Sequence, residues 1–218
     1  MVQIIQRAAG AARQAPGRWA LMLIMLAVGG CASMDKDECL VADWRLIGYQ
    51  DGTQGKSGAR VGAYRKDCAD YRVVPDLDAY QAGRREGLRE YCVPANGYRL
   101  GNAGRAYNAV CPADTERAFR TAYNTGHDLY LARSQVNSTW SLINQKQQAI
   151  QSLEVDRQDK LTEMIQPGLS SEQRVLLLYD ITSIEKNIHA ANADISALER
   201  DLEQQQAQLD YLLNTSPY

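Results

Sequence analysis

In the stretch LLYDITSIEKNIHAANADISALERDLEQQQAQLDYLL (Leu177 to Leu213), Leu177, Ile184, Ala191, Leu198, Gln205 and Leu212 fall seven residues apart. Ile181, Ile188, Ile195, Leu202 and Leu209 form a companion series with the same step. Together they make eleven positions in strict four–three alternation, ten of them apolar. That is the pattern of a helix that lays one seam against another helix. Upstream, Leu129, Val136, Ile143, Ile150 and Met164 follow the same step, interrupted by Arg157, while Trp140, Leu153 and Leu161 fill in less regularly. Between the runs lies QPGLSSEQ (Gln166 to Gln173). Pro167-Gly168 stops the first helix, and Ser170 with Gln173 makes a capping-box start for the second. Two helices joined by so short a loop are antiparallel neighbours. The second, from about Ser171 to Leu213, would extend roughly 64 Å. The sequence therefore predicts an all-α chain in which residues 132–213 form a long antiparallel coiled-coil hairpin, followed by a tail at 214–218.

Ahead of the hairpin the composition changes to glycine, tyrosine and cysteine. In DECLVADWRLIGYQDG (Asp37 to Gly52), Leu40, Val41, Trp44 and Ile47 recur at three- and four-residue spacing, one face of a helix. In LDAYQAGRREGLREYC (Leu77 to Cys92) the same period joins Leu77, Tyr80, Gly83, Gly87, Leu88 and Tyr91. Glycines four apart cost helix propensity, about 1 kcal/mol each, so close packing of another backbone or of a tyrosine ring should offset them. The loops YRVVPD and VPANGYRLGNAG are rich in Pro, Gly and Asn, as connectors are. A shift of 43 residues places Gly58 on Gly101, Ala63-Tyr64 on Ala106-Tyr107, Cys68 on Cys111, Ala79-Tyr80 on Ala122-Tyr123, Gly83 on Gly126 and Leu88 on Leu131. GYQDG (Gly48 to Gly52) is a weaker third echo, of the spacing between Gly83 and Gly87. Cys39, Cys68, Cys92 and Cys111 allow three pairings. The repeat favours Cys39 with Cys68 and Cys92 with Cys111, each bridge stabilising by about 3–4 kcal/mol, with the other pairings still open. Residues 31–131 are thus expected to form a small, disulfide-tied helical domain with an internal repeat.

These residues also carry a resemblance. CLVADWRLIGYQDG (Cys39 to Gly52), YQAGRREGLREYC (Tyr80 to Cys92) and GYRLGNAGRAYNAVCPAD (Gly97 to Asp114), followed by AYNTG (Ala122 to Gly126), resemble the bacterial lipoproteins grouped as domain of unknown function 2799. The resemblance covers roughly residues 35–131. It implies a small helical, disulfide-tied envelope domain and brings no activity with it.

Residues 1–30 read as a targeting segment. They hold Arg7, Arg13 and Arg18, no acidic residue, and the apolar run ALMLIMLAV (Ala20 to Val28). A basic segment, a short apolar one and then small residues make a secretory signal, and nine residues rise only about 14 Å, too short to span a bilayer. Val28, Gly29 and Gly30 lead directly into Cys31, as in a bacterial lipobox, where the thiol is acylated and the chain is cut just ahead of it. The simpler alternative is a secretory signal beside a chance cysteine. Ala32 in place of Asp favours sorting to the outer membrane. Losing three arginines leaves 21 basic residues against 26 acidic ones, a net −5, far from the basic footprint that nucleic-acid binding needs. All of that −5 falls in residues 133–218, which argues against the hairpin lying on anionic lipid.

Little in the sequence points to catalysis. GTQGKSG (Gly52 to Gly58) has Gln50 where a phosphate loop needs a glycine, and no apolar strand precedes it. His127 beside Asp128 cannot orient it well on a helix, and His189 is a solvated flank of the coiled coil. No ligand cluster shows metal spacing, and bridged cysteines are not nucleophiles. No catalytic residue, metal ligand or cofactor is expected. Tyrosine usage is uneven, with 12 Tyr against one Phe, nine of the tyrosines lying before residue 131. The rings suit a small core whose hydroxyls reach water; the alternative is a surface on which sugar rings stack, with Tyr98 and Tyr107 as candidate ligand-binding residues. The expected function is non-enzymatic: a periplasm-facing lipoprotein, held in the outer membrane at Cys31, acting as a scaffold or assembly accessory through its hairpin. Its expected partners are an envelope protein or a second copy, with no nucleic acid. The alternative is a peptidoglycan-binding module that uses the Tyr-rich domain.

Overall fold

The computed structural model describes residues 34–218; the signal segment and Cys31 lie outside them. The described residues form helices joined by turns and loops, without strands, as expected of an all-α chain. Two local readings change, however. VPANGYRLGNAG, read as a connector, holds a helix at Pro94–Asn102 with proline in its first turn. The face read through Leu40, Val41, Trp44 and Ile47 is split between two helices at the Asp43 cap. In chain order the helices are α1 (Lys36–Leu40), α2 (Trp44–Thr53), α3 (Val61–Cys68), α4 (Leu77–Tyr91), α5 (Pro94–Asn102), α6 (Ala113–Met164) and α7 (Ser171–Thr215), with 3-10 turns at Gly58–Arg60 and Ala69–Tyr71. They fall into two compact units.

The smaller unit comprises the described part of Met1–Ala42 together with Ala59–Pro75. Asp35 starts α1 by a capping box: its side chain accepts from Glu38 N at 2.8 Å and Glu38 Oε2 accepts from Asp35 N at 3.0 Å. Five residues cannot hold a helix unaided. The bridge between Cys39 and Cys68, both buried, ties α1 to the end of α3 with their Cα atoms 5.6 Å apart. Met34 N adds a bond to Asp67 Oδ2 at 3.3 Å.

The larger unit, Asp43–Gly58 with Asp76–Tyr218, is built from two helix pairs and a hairpin. In the first pair α2 crosses α4, and in the second α5 crosses α6. Glycine dictates both crossings. A β-carbon at Gly48, Gly52, Gly83 or Gly87 would come within 3.0 Å of a backbone carbonyl oxygen on the facing helix, those of Tyr80, Arg84, Arg45 and Tyr49 respectively. At the second crossing Gly97 meets Phe119 O, Gly101 meets Tyr123 O and Gly126 meets Tyr98 O in the same way. Backbone lies on backbone, the compensation that the glycine spacing calls for.

The pairs are structural copies, but not in the register of the 43-residue shift. GYQDGTQGK (Gly48 to Lys56) corresponds to GYRLGNAGR (Gly97 to Arg105), a shift of 49, while Tyr80, Gly87 and Tyr91 correspond to Phe119, Gly126 and Tyr130, a shift of 39. One shift cannot align both helices because the connectors differ in length. Each first helix ends in the same left-handed motif. Gly55 (φ 66°) and Gly104 (φ 65°) bond back to Gly52 O and Gly101 O, and the next residues, Lys56 and Arg105, bond to Asp51 O and Leu100 O. The rings of Tyr91 and Tyr130 lie against those two glycines.

Leu88, Tyr91 and Cys92 pack with Leu100, Phe119 and Tyr123 into one core, edged by Tyr107, Val110 and Cys111. Tyr91 and Phe119 stack at 5.4 Å between centroids. The Cys92–Cys111 bridge, Cα atoms 5.6 Å apart, closes the segment that leads into α6. Both bridges are those the repeat favours.

At 52 residues, about 78 Å by helical rise, α6 runs unbroken from the second crossing into the hairpin. Along this one helix the partner changes from α5 to α7 without a break, so no chain break falls at the expected boundary of 131/132. Gly168 (φ 96°) makes the turn, and Ser170 and Gln173 form the predicted capping box that starts α7.

Gly126→Ala should destabilise the chain by about 3 kcal/mol, because rigid backbone must move to admit a methyl group. Gly62→Ala, in α3 with nothing within 4 Å, should be neutral or stabilising by up to about 1 kcal/mol. Thermal melting of the two variants checks this, and equal behaviour would refute the close-crossing account.

Candidate functional site

Two surfaces hold the candidate residues: the hairpin and the tyrosine-rich helix pairs. In the hairpin, Ile143, Ile195 and Leu202 are buried with Val136, Ile150 and Leu198 packed against them, all of them members of the predicted heptad series. Gln205, the polar member, accepts a 2.9 Å hydrogen bond from the buried Thr139 hydroxyl across the seam. Slipping the pair out of register would leave the buried Thr139 hydroxyl unpaired, which favours this alignment of α6 on α7. Lys146 with Asp194 (2.6 Å) and Lys160 with Asp180 (3.0 Å) bridge the helices in the same alignment. These exposed pairs add little energy but agree on the register.

Farther out the pattern weakens. Arg157, which interrupts the apolar series, lies 4.0 Å from Glu185, and its Nε is buried without a hydrogen-bond partner. Arg174 reaches back from α7 to cap the end of α6 through Met164 O and Gln166 O. Beyond that cap, VLLLY (Val175 to Tyr179) spends only Leu177 on the seam. Val175, Leu176, Leu178 and Tyr179 are each more than half exposed, Tyr179 at 73%. Ile165, at the end of α6, is 75% exposed. Five apolar residues in a row, where the seam uses one, was the sequence signal for this collar.

The tyrosines are mostly engaged. Tyr107 packs against Phe119 and Tyr123 and bonds the carboxylate of Glu116. Burial, then that bond and the carboxylate charge, push its phenol up to about 12. Tyr98 stacks on Tyr218 at 5.1 Å between centroids. The two candidate ligand-binding residues therefore have different neighbours. Tyr80 donates to the buried Asp51 at 2.8 Å, and Tyr123 donates to Arg105 O at 2.7 Å. His127 stacks between Tyr123 and Tyr130, and not on Asp128, while His189 is exposed as expected. An open hollow of about 500 Å³ lies along α6, lined by Tyr130, Arg133, Asn137 and three serines. Among the described residues no three His, Cys, Asp or Glu side chains gather at metal-holding distance, and no helix is long and apolar enough to cross a membrane. The lipidation candidate, Cys31, lies outside the described residues.

Residues 43–128, spanning both glycine crossings, match the family model described as Protein of unknown function (DUF2799). The match covers 86 of the 218 residues and lies within the stretch that carries the resemblance. The match ends within α6, so the matched residues include α2, α4, α5 and the first part of α6. No curated protein and no solved structure matches the chain.

Two outcomes follow from this geometry. Arg157→Met completes the apolar series between Ile150 and Met164 and should stabilise the hairpin by about 1–2 kcal/mol in thermal melting, since an unpaired buried N–H is removed. Tyr107 has a folded-state pKa above its unfolded value of about 10, so the stability linked to it is complete below pH 10 and is lost as pH rises toward 12. Tyr107→Phe should flatten that alkaline loss in denaturant titrations. Equal slopes for variant and parent would refute the burial of this phenol.

Proposed function

We propose that the chain is an outer-membrane lipoprotein, held by acyl groups on Cys31, whose hairpin serves as a non-enzymatic scaffold in the periplasm. The hairpin surface carries this reading. Two helices of 52 and 45 residues satisfy each other along their seam, yet the far end exposes Ile165, Val175, Leu176, Leu178 and Tyr179, which no contact within the fold requires. Contiguous exposed apolar area of that kind marks interaction surfaces. The order of basic segment, apolar run and Gly30-Cys31 supports the anchor, and the two disulfides fit an oxidising compartment.

The experiment is crosslinking in living cells followed by capture and mass spectrometry. It compares the full chain with one whose residues 147–193 are replaced by a short glycine-rich turn. That variant keeps Thr139–Gln205 and Lys146–Asp194 and hence the stem of the hairpin. A defined protein partner, a second copy included, should be captured by the full chain and lost from the shortened one. An unchanged partner set in both would overturn the scaffold reading, and muropeptides recovered from both would turn attention to the tyrosine-rich pairs. Cys31→Ser should release the chain from the membrane fraction; continued sedimentation with membranes would remove the anchor from the proposal.

A further inference from the structure

We infer that the outward face at the start of α7 is a self-association surface, on which a second copy of this chain packs antiparallel about a two-fold axis at Tyr179. The inference rests on the scaffold reading and names the partner that the hairpin end takes.

Helical geometry of 100° per residue places Glu172, Val175, Tyr179, Thr182 and Lys186 on the side of α7 opposite the seam residues Leu177, Ile181 and Ile184. All five are exposed. Leu176 and Leu178 flank them, so the middle of this face is apolar and its two ends are charged. The ends are complementary. Glu172 lies one heptad before Tyr179 and Lys186 one heptad after it. In an antiparallel pair centred on Tyr179, Glu172 of each copy meets Lys186 of the other, and the isologous symmetry makes the contact twice. Among the described residues neither has an ion-pair partner within its own chain. Thr182 of each copy then lies beside Val175 of the other, and Tyr179 lies against its symmetry mate.

The charge around the tip favours this occupant over a lipid surface. Residues 154–186 hold seven acidic side chains and four basic ones, a net −3, which anionic headgroups repel. Two tips also carry like net charge, and the two Glu172–Lys186 pairs are what set attraction against that repulsion. The apolar patch is small beside the roughly 800 Å² per partner of a standard interface. Association is therefore weak for free chains, and tethering copies to one membrane raises their local concentration.

The test puts a photoreactive phenylalanine analogue in place of Leu178 in the full chain, with irradiation in cells. The expected product has twice the mass of the chain and yields peptides of this chain alone. Glu172→Lys or Lys186→Glu, made singly, sets like charges against each other and should lower that product at least about tenfold. Co-expression of the two single variants restores opposite charges at both ends and should restore the crosslink between them. No adduct, a homodimer that ignores the charge reversals, or an adduct with a different protein overturns the inference. The last of these leaves the scaffold reading standing, which the shortened hairpin tests separately.

Discussion

The fold depends on a contact that side chains do not make: carbonyl oxygens of one helix lying where the β-carbons of its neighbour would be. At the crossings of α2 on α4 and of α5 on α6, seven glycines meet the facing backbone in this way. Each glycine within a helix sacrifices about 1 kcal/mol of propensity, so the arrangement persists only through what the approach makes possible. Two backbones this close share dispersion along several turns, and they leave room beside the axis for large rings. Tyr91 and Tyr130 use that room, each covering the left-handed glycine that ends the preceding helix. Tyrosine suits these places because the ring can be buried while its hydroxyl finds a partner, as Tyr123 does on Arg105 O and Tyr80 on Asp51.

From this base α6 carries order outward. One of its ends is clamped by Gly126 against α5 and by the Phe119 core, and the same uninterrupted helix then supplies half of the hairpin. The hairpin needs no linker, and the Thr139–Gln205 bond just past the clamp sets the register of everything beyond it. A slip of α7 by one heptad would leave the buried Thr139 hydroxyl without that partner, at a cost of about 1–3 kcal/mol. That polar contact in the stem therefore helps fix which turn of α7 lies beside which turn of α6, while the heptads set which residues face outward.

Much of this was legible in the sequence, for reasons that differ by region. The heptads of Leu177 to Leu212 report a helix–helix seam directly, because the seam is a property of one segment read at one period. The Ser170–Gln173 capping box was readable for the same reason. The repeat was visible but misregistered. Tyr80 sits on Tyr123 in a plain self-comparison, whereas in space Tyr80 corresponds to Phe119, since glycine position and not ring identity defines the crossing. The better signal was present in GYQDGTQGK and GYRLGNAGR, whose three glycines and following basic residue keep identical spacing. The engagement of Tyr107 by Glu116, and of Tyr98 by Tyr218 from the far end of the chain, could not be read, because contacts between remote segments leave no local period.

The two halves of the hairpin differ in a way that stability alone does not explain. Near the stem, apolar residues are inside and the one polar pair is satisfied. Near the tip the pattern inverts: Arg157 takes a seam position with an unpartnered Nε, while Val175, Leu176, Leu178 and Tyr179 take solvent positions. A sequence under pressure only to fold would exchange these characters, since moving charge outward and hydrocarbon inward improves both desolvation and burial. The stem exposes apolar residues as well, Leu131, Trp140, Leu142, Tyr211 and Leu213, but not as an unbroken run like Val175 to Tyr179. At the tip the unpartnered Arg157 Nε lies within the same few turns as the largely exposed run from Val175 to Tyr179. Under the scaffold proposal, departures of both kinds within a few turns of one loop make the hairpin's end the part that meets another molecule.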